Sequence, residues 1–306
     1  MSSSRSAVAA CATLMAVAAW VVGGSGQAPT SQAGSLPLAP LGVRGEAIYP
    51  AFEGWGPHKD GTNVLLLGYF NRNKEQAVDV PIGPNNRIEP GGPDYGQPTH
   101  FKTGRQYGVF AIPLPKDFGT KKLTWTLVAN NQTSVVTFWM NPPYWIDFFK
   151  NTSNGNEPPV IRFARDGKTL TGPPQEQIAE TLTGTVNQPV PLSLWASDHP
   201  ATVAEPPPPP GAGRGRGRGR GGEGEEADIT INWSKFRGPG DVVFAEEKVE
   251  LHTKKDEKAI LEARTTATFA QPGEYWLLAT INDESGDGGR GDQCCWTSAH
   301  VKVTVK

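Results

Sequence analysis

PGEYWLLATINDESGDGGRGDQCCWTSAHVKVTVK, residues Pro272 to Lys306, decides the fold. In its first part Tyr275, Leu277, Ala279 and Ile281 alternate with Trp276, Leu278, Thr280 and Asn282. In its last part Val301, Val303 and Val305 alternate with Lys302, Thr304 and Lys306. Successive side chains of an extended chain point to opposite faces, so a period of two specifies strands. Pro272-Gly273 makes the turn into the first strand, proline by fixing φ and glycine by accepting a positive φ.

The remaining composition agrees with many short strands. The chain has 306 residues, 37% hydrophobic and 20% charged, enough for two cores. Its 36 glycines and 28 prolines, set between short apolar runs, favour turns over long helices. The net charge of −2 supplies no basic field for nucleic acid.

Residues 1–26 read as a secretory signal: Arg5, an apolar stretch from Ala7 to Val22, then small residues. The stretch is shorter than the ~20 residues of a spanning helix, so membrane attachment requires an uncleaved signal. Residues 27–42 form a flexible leader rich in Ser, Pro and Ala. An N-terminal β-sandwich domain is expected over 43–150, from apolar runs at Val64 to Phe70, Ala77 to Ile82, Tyr107 to Leu114, Leu123 to Ala129 and Ser134 to Met140. Asn130-Asn131 suits a tight hairpin, because Asn tolerates the left-handed region. The long connection from Gly83 to Thr103 carries Asn85, Arg87, Asp94 and Tyr95, a set of amide, cation, carboxylate and ring suited to a sugar or peptide. The same residue types also serve as turn formers.

The aromatic join Tyr144, Trp145, Ile146, Phe148 and Phe149 reads as packing between domains or as a last strand of the first. A second sandwich domain is expected over 151–306, with Val190, Leu192, Leu194 and Ala196 on one strand face and Ile229, Ile231 and Trp233 on another. Residues 201–228 interrupt it with a proline run, Gly-Arg repeats and then glutamates, a composition expected to be disordered. Its arginines lack the interleaved aromatics of a single-strand nucleic-acid tract. Lys248 to Arg264 reads as a hairpin with a solvated turn.

Trp233-Ser234, Gly238-Pro239-Gly240, Val242-Val243-Phe244, Thr266-Ala267-Thr268-Phe269 and Pro272-Gly273-Glu274-Tyr275 together resemble the PKD-type branch of immunoglobulin-like domains. The resemblance implies a sandwich used outside the cell as a spacer, adhesion or ligand-presenting module, without catalytic residues. The N-terminal half is similar to a domain of uncharacterised exported bacterial proteins.

Two chemical features stand apart from that pattern. Cys294 and Cys295 are adjacent, and on a regular strand they would face opposite ways as one core and one surface thiol. The alternatives are a vicinal redox disulfide, a bridge to another chain, or a soft-metal site with His300. Asp283, Ser285, Asp287 and Gly288 open like a calcium loop, with Asp292 as a further ligand, but Cys294 stands where the bidentate Glu belongs. The expectation is therefore no cofactor, a hairpin loop being the first reading of this segment and calcium the alternative.

The fold expectation is all-β, two tandem antiparallel immunoglobulin-like sandwiches with a long insertion in the second. The functional expectation is an exported, non-catalytic binding, adhesion or scaffold protein of the envelope or secreted space. Its partners would be envelope polysaccharide or another exported protein. The alternative is a metal- or thiol-dependent redox protein or enzyme using the region from Asp283 to His300. No HExxH, GxSxG or phosphate-cradling sequence accompanies it.

Overall fold

The structure, a computed structural model, describes residues 40–152, 154–174, 177–198, 229–252, 260–283, 285 and 294–306. The signal at 1–26, most of the leader at 27–42, the insertion at 201–228 and all but Asp283 and Ser285 of the loop from Asp283 to Asp292 lie outside the described residues.

The chain order begins with β1 (Ile48–Pro57), β2 (Asn63–Asn71), β3 (Val78–Asp79), β4 (Asn86–Glu89), β5 (His100–Phe101), β6 (Gly104–Pro113), β7 (Leu123–Ala129) and β8 (Gln132–Phe138). It continues with β9 (Val160–Arg162), β10 (Glu180–Gly184), β11 (Val190–Ser197), β12 (Ile229–Arg237), β13 (Val242–Phe244), β14 (Lys248–Leu251), β15 (Leu261–Phe269), β16 (Gly273–Asn282) and β17 (Trp296–Val305). The protein is all-β and sandwich-like, as the alternation requires. In the N-terminal half the sheets run β1-β2-β6 and β4-β7-β8, with a small β3-β5 pair. In the C-terminal half a five-stranded sheet, β10-β17-β16-β12-β14, faces a four-stranded one, β13-β15-β11-β9.

The two strands read from Pro272 to Lys306 pair with each other, antiparallel, from Gly273 opposite Val305 to Asn282 opposite Trp296. Their inward residues Tyr275, Leu277, Ala279, Ile281, Val301 and Val303 are all fully or almost fully buried. They share a core with Trp233, Leu192, Leu194 and Phe269. A second core gathers Leu65, Leu67, Phe101, Phe110 and Trp125 in the N-terminal half, and Trp125 donates its indole N–H to Asn86 Oδ1 at 3.0 Å. The β7–β8 hairpin turns on Asn130 and Asn131, whose φ values of 50° and 61° are the left-handed pair that matches strand twist.

Two expectations are corrected. Lys248 to Arg264 is not a hairpin: β14 pairs with β12 in the five-stranded sheet, and β15 pairs with β11 and β13 in the other. Period two reports which face a residue takes but not which strand it joins, so a chain crossing between sheets looks like one returning on itself. Likewise β10 runs parallel to β17, an exception to the antiparallel expectation.

The aromatic join lies along the edge of β1. Ile146 donates its N–H to Trp55 O at 2.9 Å, and Trp55 and Trp145 form a parallel bridge. Glycine makes this approach available, because a Cβ on Gly56 would stand 2.2 Å from Ile146 O. Phe148 then packs with Val64, Leu66 and Trp296, tying the join to both halves. All described residues belong to one compact unit, Gly34–Lys306.

Trp233 is 2% exposed and sits at the centre of the C-terminal core. Trp233→Ala is expected to lower unfolding stability by about 3–5 kcal/mol, read from the denaturant midpoint at constant slope.

Candidate functional site

The outward residues of β12, β16 and β17 do not face solvent along the whole sheet. At one end Phe236, Trp276, Leu278 and His300 are apolar or aromatic, and Phe236 and Leu278 are buried in the N-terminal core. A change of register between Lys235 and Arg237 accompanies this contact. Backbone joins the two halves directly there, since Thr99 donates its N–H to Phe236 O at 3.1 Å.

Ionic links surround the same contact. Arg237 holds Asp94 through two parallel hydrogen bonds of 2.7 and 2.9 Å, donates to Gln97 O, and stacks 4.5 Å over the Trp276 ring. Burial alone would raise the Asp94 carboxyl, but Arg237 and the Gly96 N–H outweigh it and hold it below the usual carboxylate range. Asp79 receives His100 Nδ1 at 2.9 Å and the buried Lys235 Nζ at 3.1 Å. There too burial raises the carboxyl, and His100 and Lys235 together bring it below its ordinary value.

His300 closes the junction. Its Nε2 lies 3.0 Å from Val109 O and its Nδ1 3.2 Å from Gln177 O, with the Phe236 ring 4.3 Å away. Burial pushes the imidazole down to about 4, against the two carbonyls that raise it. The neutral ring has one N–H and donates to one of those carbonyls at a time. This geometry commits His300 to carbonyl oxygens of the junction.

Toward the other end of the sheet the outward residues change character to Asn232, Ser234, Thr280 and Asn282. The start of β6 stands off from them, leaving a crevice of about 160 Å³ that is also lined by Lys102, Arg105, Gln106, Tyr107 and Trp296. The position of β6 is set by Gly108, where a Cβ would come 2.6 Å from Trp296 Cζ2. Arg105 is already engaged: it donates to Glu53 Oε1 at 2.6 Å and lies 4.3 Å over the Tyr107 ring. Burial raises the Glu53 carboxyl, and Arg105 offsets that only in part. By contrast the side chains of Lys102, Asn232, Ser234 and Thr280 have no hydrogen-bond or ionic partner among the described residues. The crevice continues past Lys102 and Ser234 into a second hollow of about 190 Å³ bordered by His100, Lys235, Asp241 and Glu247.

The residues singled out in the sequence are placed as follows. Asp94 serves the junction through Arg237, and the Tyr95 hydroxyl donates to Pro90 O at 2.5 Å. Arg87 binds Glu89 Oε2 and Pro84 O, while Asn85 is exposed and accepts from the Val128 N–H. These four residues bind separate partners. Cys294 and Cys295 are joined by a disulfide, the vicinal bond among the alternatives read from the sequence, and both are buried, so neither is the surface thiol of the regular-strand reading. Cys295 takes a φ of 104°, so the backbone leaves the regular strand there. Asp283 is 4% exposed; it accepts from Asn156 Nδ2 and from both the N–H and hydroxyl of Ser285. Asp287 and Asp292 lie outside the described residues. Among the described residues no three His, Cys, Asp or Glu groups gather as a metal site.

Sequence reasoning missed the crevice, although a signal was present. Trp276 and Leu278 occupy the strand face opposite the core, and large apolar residues there mean that a second surface covers it. The change to Thr280, half-buried beside the crevice, marks where that cover is interrupted, before Asn282 is buried again opposite Trp296.

No known family matches the chain, and no curated protein does. Among solved structures it is similar to the D00-D0 domain of Intimin, at 11% identity and a TM-score of 0.25, over 85% of this chain and 100% of that one. A likeness at that score decides neither fold nor function. Both rest on the strands and side chains above.

The His300 placement makes stability depend on acidity. Above its ordinary value of 6.5 the ring is neutral in both folded and unfolded chains. As the pH falls from 6.5 toward about 4, the unfolded chain takes up a proton that the folded chain refuses, so stability is lost across that window. The loss expected from this residue is about 3 kcal/mol. Chemical denaturation of wild type and His300→Phe between those limits is expected to show a shallower pH slope in the variant, with equal slopes excluding the residue as the source.

Proposed function

We propose that the chain is an exported, non-catalytic binding module of the envelope or secreted space, built as two sandwiches over 43–150 and 151–306. The observation that carries this reading is the division of labour at the junction. The ionisable groups of the junction, Asp79, His100 and Lys235 in one triad and Asp94 and Arg237 in one pair, are closed on each other and fasten the halves together. Beside them lies a concavity where the side chains of Asn232, Ser234 and Thr280 have no partner among the described residues, which is how a protein presents itself to a ligand rather than how it breaks a bond. No helix among the described residues is long and apolar enough to cross a membrane. Envelope polysaccharide or another exported protein is the partner class. Saturable binding of the purified chain to at least one member of a panel of immobilised glycans, cell-wall fractions and exported proteins is the expected result; a panel with none counts against the reading.

The bonded Cys294–Cys295 pair favours a second reading, a redox protein acting through that disulfide. Its burial argues for a structural part instead. Titration of the mature chain, freed of the signal that carries Cys11, with a thiol reagent under native conditions is expected to find no free thiol until the chain is unfolded in reductant. Rapid reduction of the folded protein by a dithiol would move the redox reading ahead.

A further inference from the structure

We infer that the crevice between β6 and the polar end of the five-stranded sheet binds an acidic sugar unit of an anionic polysaccharide; this deepens the binding-module reading and rests on it. The first ground is hydrogen-bonding capacity. Asn232, Ser234 and Thr280 are half-buried on one concave surface and have no partner within the described protein. Each hydroxyl or amide can both donate and accept, which matches the alternating demands of sugar hydroxyls. A surface meant for another protein's apolar side chains would leave no such cluster unpaired, since a dry contact over it would strand those groups.

The second ground is charge. Lys102 and Arg105 line the crevice, and among the described residues no carboxylate does. Glu53 neutralises Arg105 from behind, so the net charge offered to a ligand is the single ammonium of Lys102, which has no anionic partner among the described residues. One cation among neutral hydrogen-bonding groups suits one carboxylate on a hydroxyl-rich body. A phosphate would call for several cations or a fork of donors.

The third ground is size and continuation. About 160 Å³ is room for one six-membered ring, since cavities of about 150 Å³ hold benzene. The adjoining hollow beyond Lys102 and Ser234 is bordered by Asp241 and Glu247 as well as His100 and Lys235, so it accommodates the hydroxyls rather than the carboxylate of the next unit of a chain. Tyr107, half-buried with Arg105 over its ring, leaves aromatic surface against which the C–H face of a sugar packs, and the buried Trp296 forms the floor.

Calorimetric titration of the whole chain with trigalacturonate and trimannuronate, each beside its neutral unoxidised trisaccharide, tests this. Saturable binding of at least one uronate is expected, at least tenfold tighter than its neutral counterpart and weakened by added salt. Lys102→Met is expected to bring the acid down to the neutral sugar's affinity. Asn232→Ala and Thr280→Val should weaken both by threefold or more, and Ser234→Trp should abolish binding by filling the space. Circular dichroism and the denaturant midpoint establish that each variant is folded; Lys102 and Ser234 lie outside both cores, so at least these two report on binding. Wild type that binds neither uronate, or that binds acid and neutral sugar alike, overturns the inference. Uronate binding that survives all four substitutions also overturns it and leaves the broader binding-module reading standing. A chain that binds a protein from the panel but no glycan has the same consequence, whereas a chain that binds nothing defeats both.

Discussion

Sheet β10-β17-β16-β12-β14 is covered on both faces along part of its length, and the arrangement of the molecule follows from that. An antiparallel sheet in a small sandwich ordinarily turns one face to a core and the other to water. Here the inner face packs Trp233, Leu277 and Val301 against the four-stranded sheet, and the outer face delivers Phe236 and Leu278 into the N-terminal core. Burial of large apolar side chains is worth about 1.5–3 kcal/mol each. A junction built on several of them is a continuation of the core rather than a loose contact between neighbours.

Polar groups give that junction its register. Apolar contacts tolerate sliding, whereas the fork of Arg237 on Asp94 fixes both distance and angle. Lys235 would be an expensive buried cation alone, and Asp79 supplies its partner. His300 meets a carbonyl of β6 and another at Gln177, so it reads the position of two segments at once. These groups have the chemistry of a catalytic site and are used as fasteners. The shifted titration of Asp79, Asp94 and His300 follows from burial and pairing, which a structural link produces as readily as an active centre does.

The crevice lies where the cover of the N-terminal half is interrupted, between Phe236, Leu278 and His300 on one side and Trp296 on the other. Where β6 lifts away, apolar outward residues would be a liability, and the sequence changes there to Asn232, Ser234, Thr280 and Asn282. Concavity and polarity thus share one origin. The disulfide of Cys294 and Cys295 lies just before β17, between Asn156 and the strand that carries Trp296; Cys295 Sγ is 3.3 Å from Asn156 O. Its closed loop is too small to constrain the unfolded chain much, so what it holds is local: the entry of the strand that lines the crevice.

The sequence by itself determined the strands and the faces of their side chains. Alternation from Tyr275 to Asn282 and from Val301 to Lys306, the Pro-Gly turn and the Asn130-Asn131 hairpin are local features, set by backbone sterics and a period of two. It did not show β1, where Pro50, Gly54 and Gly56 break the apolar pattern so that the join can approach. Nor could it distinguish a hairpin from a crossing between sheets at Lys248 to Arg264, because pairing partners lie far apart in the chain. Only the tertiary structure decided that Asp94 belongs to Arg237, 143 residues away, and that Lys102 shares a surface with Asn232 and Thr280. Which polar groups are paired and which are left unpaired depends on contacts between distant segments, and one chain's periodicity carries no record of them.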